Sequence, residues 1–400
     1  MLLFFLLLLS PFVSQAQDFK VVDKGQLQIE KPAFLTMEGS SLLVSSFKLL
    51  GADHVFRLNS PKGVLSGQTP AIQTVTDRIV WPNEVTFLNS SHFGAEGYLI
   101  ASGFLLPTKS TGAISFVESA TGKVTALTEK KRGYFYHRTV FADVSGTGRE
   151  DIISARGKIS SSGSDGELIW LQRPQQPLTQ KWNEVVLAKG PDIHFRILQE
   201  DDKAAGKGGV IIVTAEFSKK RLGLYKIDKT GAVESAVIDD TLGAPFDLDF
   251  YDLNNDGKLD LLVTNHQGDT TASVFAYEIP SDLMHGKWIR HTLLTGIVTR
   301  QKGINQASPG IAKAFTPEVA KAGQSKPWIL VSGDGAQQVY LLTPKTQKTD
   351  DWSYDSSVIL DVKSTVGEPL IKDFDGDGLV DFVIPAYDTN KLYFFSVVGK

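Results

Sequence analysis

The stretch Asp373-Phe-Asp-Gly-Asp-Gly-Leu-Val-Asp381, with the apolar run Phe382-Val-Ile-Pro385 behind it, decides the fold. Its acidic residues occupy loop positions 1, 3, 5 and 9, and Gly378 occupies position 6. Alternate carboxylates at the head of a turn can converge their oxygens on one hard cation, and a glycine permits the sharp bend that such a loop needs. The stretch therefore predicts a cation-binding loop that leads into a short buried strand.

Related loop–strand units occur earlier in the chain. Asp252-Leu-Asn-Asn-Asp-Gly-Lys-Leu-Asp260 is a second copy, and Asp143-Val-Ser-Gly-Thr-Gly-Arg-Glu-Asp151 is an eroded third copy. The short apolar strand behind each loop recurs seven times in all. These strands begin at Leu42, Tyr98, Asp151, Val210, Asp260, Trp328 and Asp381. Repeats of roughly 40–60 residues that contain four short strands are typical of propeller blades.

Seven units predict an all-β fold, a seven-bladed β-propeller of four-stranded antiparallel blades. The predicted domain is residues 17–400. Its approximate blades are 31–80, 81–130, 134–190, 192–242, 244–296, 308–362, and 367–400 plus 18–30. The chain stops soon after the third strand of unit seven, so that blade lacks an outer strand. We expect the N-terminal segment 18–30 to supply it and to close the ring, since closure removes an open sheet edge.

Residues 1–16 have the character of a secretory signal peptide. Leu2–Leu9 is an unbroken apolar run, and Ser14-Gln-Ala16 offers small residues at the positions that a signal peptidase reads. We expect cleavage near Ala16 and an extracellular location. A membrane anchor is the alternative, although the run is short for a bilayer span. Asn89-Ser-Ser91 is a candidate glycosylation site.

Composition narrows the class of protein. The 400-residue chain is 42% hydrophobic and 22% charged, which suffices for a sizeable core. A net charge of −4 argues against a general binder of nucleic acid or anionic membranes. The chain has no cysteine, so we expect its core, bound metal or both to hold it together outside the cell. We expect a monomer whose partner is an extracellular protein or a glycan.

The repeat resembles the FG-GAP/VCBS repeats, which form the blades of integrin-α-like propellers. The resemblance rests on residues 250–264 and 371–384, with a weaker match at 141–153. It implies calcium in the loop between the first and second strands of a blade, on the face opposite the usual ligand face. Units one, two, four and six have no recognisable acidic loop and depart from the family pattern.

The acidic loops predict calcium ligands, because all-oxygen ligation without His or Cys favours Ca²⁺ over zinc or copper. The expected ligands are Asp373, Asp375, Asp377, Asp381 and the Leu379 carbonyl in unit seven, and Asp252, Asn254, Asp256, Asp260 and the Lys258 carbonyl in unit five. The weaker set in unit three is Asp143, Ser145, Thr147 and Asp151. The alternative is that Asp, Asn and Gly simply make good turns. Calcium is expected to be structural rather than catalytic.

Recognition or chemistry is expected on the face opposite these loops, where first strands begin and second strands end. Four residues at first-strand starts are candidates for catalysis, namely His137, Arg138, His194 and Arg196. The candidate ligand-binding residues are Arg156, Glu216, Asp247, His266, Asp334, Glu368 and Tyr387. His and Arg beside carboxylates could bind an anionic or polyhydroxylated ligand, or move a proton as a lyase does. They could equally be solvated rim residues.

Three classes of function are compatible with the sequence. The leading one is an extracellular binding, adhesion or carbohydrate-recognition module. The rival is a sugar-directed lyase or dehydratase that uses the His/Arg cluster, and the third is a structural scaffold. The sequence has no Ser nucleophile elbow, phosphate loop or HExxH motif. An enzyme should have a deep funnel of converging His, Arg and acidic groups, whereas a binding module should have a shallower aromatic or polar platform.

Overall fold

The fold is a ring of seven four-stranded antiparallel sheets. The computed structural model describes residues 19–160, 163–200, 208–266, 272–301 and 308–400. Apart from two four-residue helices and a 3₁₀ turn, regular structure within these ranges is strand. The predicted all-β, seven-bladed propeller is therefore confirmed. The proposed signal peptide, residues 1–16, lies outside the described ranges.

Each blade takes its strands consecutively from the chain, except that β1 (Phe19–Gln28) belongs to blade seven. Blade one contains β2 (Pro32–Glu38), β3 (Ser41–Ser46), β4 (His54–Leu58) and β5 (Ile72–Thr76). Blade two contains β6 (Pro82–Leu88), β7 (Gly97–Ser102), β8 (Ile114–Glu118) and β9 (Val124–Ala126). Blade three contains β10 (Tyr134–Ala142), β11 (Asp151–Ser160), β12 (Gly163–Gln172) and β13 (Asn183–Lys189). Blade four contains β14 (Phe195–Glu200), β15 (Val210–Glu216), β16 (Arg221–Ile227) and β17 (Val233–Asp239).

The remaining three blades repeat the pattern. Blade five contains β18 (Ala244–Tyr251), β19 (Asp260–His266), β20 (Ala272–Glu278) and β21 (Ile289–Ile297). Blade six contains β22 (Ala312–Phe315), β23 (Trp328–Ser332), β24 (Gln338–Pro344) and β25 (Tyr354–Asp361). Blade seven contains β26 (Leu370–Lys372), β27 (Asp381–Ala386), β28 (Lys391–Gly399) and the N-terminal β1. The helices are α1 (Lys62–Leu65) and α2 (Ser90–Phe93), and the 3₁₀ turn is Val319–Lys321.

The N-terminal strand closes the ring. β1 pairs antiparallel with β28, from Phe19 opposite Gly399 to Gln28 opposite Lys391, with a bulge between Asp23 and Gly25. Blade seven thus combines both ends of the chain, as the strand count predicted. The pairing covers what would otherwise be the exposed edge of β28.

The second strand of each blade explains why the sequence shows apolar runs there rather than alternation. Every residue of β3, β7, β23 and β27 is buried. These strands have neighbouring blades packed on both faces, so both sets of side chains are inside. The core therefore lies between blades. For example, Ile153 and Trp170 of blade three cluster with Phe195 and Ile212 of blade four.

No helix among the described residues combines the length and the apolar character that crossing a membrane requires.

Candidate ligand site

A cavity of about 310 Å³ opens on the face where first strands begin and second strands end. Its lining comes from the connections between blades and from the loops after the second strands. Blades one and two contribute a stack of rings, the aromatic side, and further rings come from blades three, four, five and seven. Polar groups lie among them, including Asp192 before blade four and Gln301, Thr365 and Asp388 near blades six and seven. We call this cavity the mouth cavity.

The aromatic side is built around three stacked rings, which we call the aromatic wall: Phe47, Trp81 and Phe104. The Phe47 and Trp81 ring centroids are 4.2 Å apart, and those of Trp81 and Phe104 are 4.5 Å apart with planes 5° from parallel. Offset stacks of this kind are favourable beyond the area that they bury. Tyr387 extends the group, with its ring 5.9 Å from that of Phe47.

A buried ion pair supports the aromatic wall from behind. Asp53 Oδ2 accepts hydrogen bonds from the Trp81 backbone N–H at 2.7 Å and from Lys109 Nζ at 2.8 Å. Asp53 Oδ1 accepts from the Lys48 N–H at 3.0 Å, and Lys109 Nζ also donates to the Gly51 carbonyl at 2.9 Å. The Asp53 and Lys109 side chains are 1% and 7% exposed. Trp81 has a φ of +49°, which costs energy for a bulky residue, so these contacts hold it in a conformation it would not otherwise favour.

The polar side chains that line the mouth cavity are fixed by hydrogen bonds within the protein. Gln301 Oε1 accepts from Thr365 Oγ1 at 3.0 Å, and Asp388 Oδ2 accepts from the Thr365 N–H at 2.8 Å. Asp192 accepts from the N–H groups of Phe217 and Ser218 at 2.8 and 3.0 Å. Burial raises the pKa of Asp192 to about 6, despite these hydrogen bonds. The mouth cavity therefore has fixed acceptors as well as fixed rings.

A smaller polar chamber of about 130 Å³ lies deeper along the channel. It shares Phe34, Asn83, His137 and Glu368 with the mouth cavity, so the two spaces adjoin. The Nδ1 atom of His137 is buried and has no hydrogen-bond partner. Burial, and then the charge of His194, lower the pKa of His137 to about 3. His137 is therefore a neutral imidazole whose Nδ1 is buried within the protein.

The charges around the chamber are paired between neighbouring blades. His194 Nδ1 lies 2.7 Å from Asp247 Oδ1, and Lys313 Nζ lies 2.7 Å from Glu368 Oε1. Two looser pairs, Arg138 with Glu84 at 3.3 Å and Arg196 with Asp249 at 3.4 Å, complete this set. Pairs of opposite charge thus join the first strands of neighbouring blades.

Burial and neighbouring charges set the protonation of this group. Burial opposes the charged form of His194, but the hydrogen bond and charge of Asp247, with Glu368 and Glu84, raise the pKa of His194 above its ordinary value. Burial likewise opposes ionisation of Asp247, yet His194, Arg196 and Lys313 hold its pKa below the usual range. Burial raises the pKa of Glu84 to about 7, although the Thr139 N–H donates to it. His194 and Asp247 therefore form an ion pair at mildly acidic pH.

The structure brings together seven of the candidates for the ligand face. His137, Asp334, Glu368 and Tyr387 line the mouth cavity, and Arg138 and His194 line the chamber. Asp247 reaches this group through His194. Arg196 pairs with Asp249, which lines a third cavity toward the opposite end of the channel.

Three candidates lie outside the lining of both spaces. Arg156 bonds Glu167 and Glu184 within blade three, because β11 continues to Ser160 and leaves Arg156 in the middle of a strand. Glu216 is fully buried and bonds Arg221 and Tyr225 across its own hairpin. The His266 ring lies behind Phe217, with ring centroids 6.3 Å apart.

Sequence reasoning missed the aromatic wall and the residues Glu84, Asp249 and Lys313. A repeated signal was present for part of it. An aromatic residue follows the second strand within two positions in four blades: Phe47, Phe104, Phe217 and Tyr387. All four line the mouth cavity. Trp81 lies in the connection between blades one and two, where no sequence pattern marks an aromatic lining residue.

The three acidic loops share one backbone arrangement on the other face. The glycine at position 6 has a φ of +76°, +85° and +89° in Gly148, Gly257 and Gly378, as the sharp bend requires. In each loop its N–H donates to the aspartate at position 1, over 2.7, 2.9 and 3.0 Å. The eroded loop makes the same turn, so the turn itself does not need the full set of carboxylates.

The loops differ in how many carboxylates converge. In unit seven, oxygens of Asp373, Asp375 and Asp377 lie within 4.8 Å of one another, the one such group of three found in the described part of the chain. Asp381 stands apart from this group and accepts from the Phe374 N–H at 2.9 Å and Ser396 Oγ at 2.5 Å.

In unit five the carboxylates bond the loop itself. Asp252 and Asn254 accept from the Asp256 N–H, and Asp256 from the Lys258 N–H. Asp260 accepts from the Leu253 N–H at 2.9 Å, while burial and the charges of Asp256 and Asp252 raise the pKa of Asp260 to about 7. In unit three, Asp143 and Asp151 bond backbone N–H groups, and the Ser145 and Thr147 hydroxyls bond each other. The converging oxygens of unit seven thus have the arrangement most suited to a cation.

Comparisons with known proteins do not identify a family for this chain. No protein-family model matches the chain, and no curated protein sequence matches it. Among solved structures, the soluble aldose sugar dehydrogenase from Escherichia coli is 11% identical, with a TM-score of 0.43 over 82% of this chain and 99% of that one. A protein of Bacteroides uniformis provisionally assigned as a 6-phosphogluconolactonase is 12% identical, with a TM-score of 0.49 over 81% and 83%. A Desulfotomaculum acetoxidans protein of unknown function is 11% identical, with a TM-score of 0.42 over 83% and 90%. Identities this low transfer no activity, cofactor or substrate.

Proposed function

We propose that this chain is a secreted recognition propeller that binds a carbohydrate or a similar polyhydroxylated ring in the mouth cavity. One observation carries the proposal: a cavity of about 310 Å³ that combines a stacked aromatic wall with fixed polar groups. A sugar ring has an apolar face that packs on aromatic rings and hydroxyls that bond acceptors at its edge. His137 lies where the mouth cavity and the chamber adjoin.

Binding is favoured over catalysis because the charged groups near the cavity are already paired. His194, Arg138 and Lys313 each have a carboxylate partner within 3.3 Å. A pure scaffold would need no such cavity. The test is an array of glycans and sugar acids on the purified protein, read for both binding and product. Retention of a defined class of sugars without turnover supports the proposal, and the absence of any retained sugar contradicts it.

The second candidate is a sugar-directed lyase or dehydratase. The observation in its favour is the buried His194–Asp247 pair, with the His137 ring centroid 5.9 Å from that of His194. A His oriented by a carboxylate is a common general base. Product formation on the same array, lost in Asp247→Asn, would favour the enzyme over the binding module.

Phe104→Ala tests the aromatic wall directly. Phe104 is half-buried at the outer end of the stack, so its removal takes away ring surface without emptying a core position. We expect the affinity for the sugar found on the array to fall by about 2- to 12-fold, the equivalent of 0.5–1.5 kcal/mol per aromatic contact. Titration calorimetry measures it. Val80→Ala is the control, because Val80 is 38% exposed, adjoins Trp81 and does not line the cavity. Equal losses in both variants would exclude the wall as the binding surface.

The acidic loop of unit seven is proposed to be a calcium site of the FG-GAP/VCBS type that stabilises the ring. The donor set fits, because Asp373, Asp375 and Asp377 converge and all their donors are oxygens. Calcium there would neutralise three crowded carboxylates. Residues 317–319 would also be affected, since the Val319 N–H donates to the Gly378 carbonyl and the Val380 N–H to the Pro317 carbonyl. The ion would thus tie blade seven to blade six.

Calcium should therefore raise the melting temperature of the chelator-treated protein. At a free concentration 100 times the dissociation constant, the expected gain is about 2.7 kcal/mol, because the ion binds only the folded state. Asp375→Ala should remove most of the gain, and differential scanning calorimetry with and without Ca²⁺ measures both. Ser145→Ala, in the eroded loop of unit three, is the control that should keep it. An unchanged calcium response in Asp375→Ala would sink the assignment.

A further inference from the structure

Two exposed leucines follow the lining of the mouth cavity closely in the chain, and neither is buried by other residues that the structure describes. Leu49 is 58% exposed and Leu50 is 76% exposed. They follow Phe47, which lines the cavity, by two and three residues, a reach of about 7–11 Å of chain. Neither belongs to a hydrophobic cluster, although their neighbour Phe47 does. We call Leu49 and Leu50 the leucine tip.

The leucine tip is held in place rather than loosely attached. Its loop runs from Phe47 to Asp53, and the Lys48 N–H is bonded to Asp53 Oδ1 at 3.0 Å. Lys109, from the corresponding loop of blade two, donates to the Gly51 carbonyl at 2.9 Å and to Asp53. The residue after the leucines is therefore anchored to the support of the aromatic wall. This fixes the exposed apolar surface next to the cavity rim.

Leu105 continues the apolar surface on the cavity side. It lies in the blade-two loop that also carries Phe104 and Lys109, and it lines the mouth cavity. The loops that carry Leu105 and the leucine tip are joined by the hydrogen bond from Lys109 to the Gly51 carbonyl, so both apolar groups belong to the rim at blades one and two. The polar groups Gln301, Thr365 and Asp388 belong to the same lining and lie next to Tyr387, since the Tyr387 N–H donates to the Thr365 carbonyl. A ligand that fills the cavity and extends past Leu105 would therefore meet polar groups inside it and apolar side chains at this part of the rim.

We propose that the ligand of the mouth cavity carries an apolar tail, of the alkyl or aryl glycoside class, and that the tail leaves the cavity over Leu49 and Leu50. This inference rests on the proposed function for the sugar part of the ligand. It assigns to the leucine tip a role in specificity. The gain comes from removing tail and leucine surface from water together.

Other occupants fit the surroundings less well. An anionic membrane would need free cations, but Lys48 pairs with Glu30 at 2.7 Å and Lys109 is buried against Asp53. The net charge of the chain is −4. A second copy of the chain would need about 800 Å² per partner for a standard interface, which two leucines do not approach. An apolar tail requires neither charge nor a wide surface.

The experiment is a titration with methyl, butyl and octyl β-D-glucoside below their micelle concentrations, alongside n-alkanols of the same lengths. We expect affinity to rise about twofold per added CH₂, since a fully buried CH₂ corresponds to about fourfold and the tip covers one side of the tail. The variant Leu49→Ser/Leu50→Ser should flatten this slope and leave methyl glucoside unchanged. Val186→Ser, at a residue 45% exposed on the outer strand β13, is the control that should retain the slope. Both positions are exposed, so folding should be intact, and thermal unfolding checks it.

The titrations test the sugar and the apolar tail of the ligand separately. A flat series in the wild type, or the same slope in the leucine variant, overturns the tail while the methyl glucoside affinity still reports on the sugar. Equal slopes for alkanols and glucosides, with no gain from the sugar, support the tail but contradict the proposed function. Vesicle binding, or a dimer in light scattering, that is lost in the leucine variant would replace the tail by a membrane or a second copy.

Discussion

Asp53→Ala is expected to lower the free energy of unfolding by about 3–5 kcal/mol, the usual cost of leaving one partner of a buried ion pair without the other. The Asp53 and Lys109 side chains are 1% and 7% exposed, so water cannot replace the lost carboxylate without rearrangement. The same change removes the acceptors of two backbone N–H groups, those of Lys48 and Trp81. Urea unfolding followed by tryptophan fluorescence measures it.

A matched control lies in the same region. Glu30→Ala breaks the Lys48–Glu30 pair, which is just as short at 2.7 Å but has side chains 26% and 46% exposed. Exposed pairs contribute about 0–1 kcal/mol, so a small change is expected. Adding Lys109→Met to Asp53→Ala removes the stranded charge and should restore part of the stability. Similar losses in Asp53→Ala and Glu30→Ala would mean that the Asp53 network does not support the mouth.

The fold could be predicted because its determinants are local and repeated. An apolar run such as Phe382–Pro385 reports a strand buried on both faces, and seven such runs at blade spacing leave little freedom of topology. The pairing of β1 with β28 followed from counting, since blade seven had three strands and the N-terminal segment had no other place. The two ends of the chain meet because an unpaired edge is unfavourable.

The mouth could be predicted only in part, because its residues lie in connections. Alignment of strand starts correctly brought His137 and His194 together, with ring centroids 5.9 Å apart. It failed for Arg156, since nothing in the sequence marks how far β11 extends. It also missed Trp81, whose orientation depends on a positive φ and on Asp53, 28 residues earlier. Long-range support of this kind leaves no periodic pattern.

Asp247→Asn is expected to cause the second large loss of stability, and the dependence of that loss on pH identifies its cause. In the folded protein the pKa of His194 is raised above 6.5 and that of Asp247 is held below 3.8, so each group is more charged than in the unfolded chain. The raised histidine contributes stability that is complete below pH 6.5 and is lost as the pH rises through its folded pKa. The depressed aspartate contributes stability that is complete above pH 3.8 and is lost as the pH falls through its folded pKa.

The pair should therefore stabilise most between about pH 4 and pH 6.5. At pH 5.5, Asp247→Asn is expected to lower the free energy of unfolding by about 3–5 kcal/mol. The substitution leaves a buried imidazolium without its carboxylate, so the ring must either lose its proton or move towards solvent. As the pH rises through the folded pKa of His194, the imidazole loses its charge and the difference between the two proteins should shrink. Asp249→Ala, two residues along β18, is the matched control: its pair with Arg196 is longer, at 3.4 Å, and its side chain is 36% exposed. A loss for Asp247→Asn that is the same at pH 5.5 and pH 9 would show that packing, rather than the His194–Asp247 charge pair, holds this part of the channel.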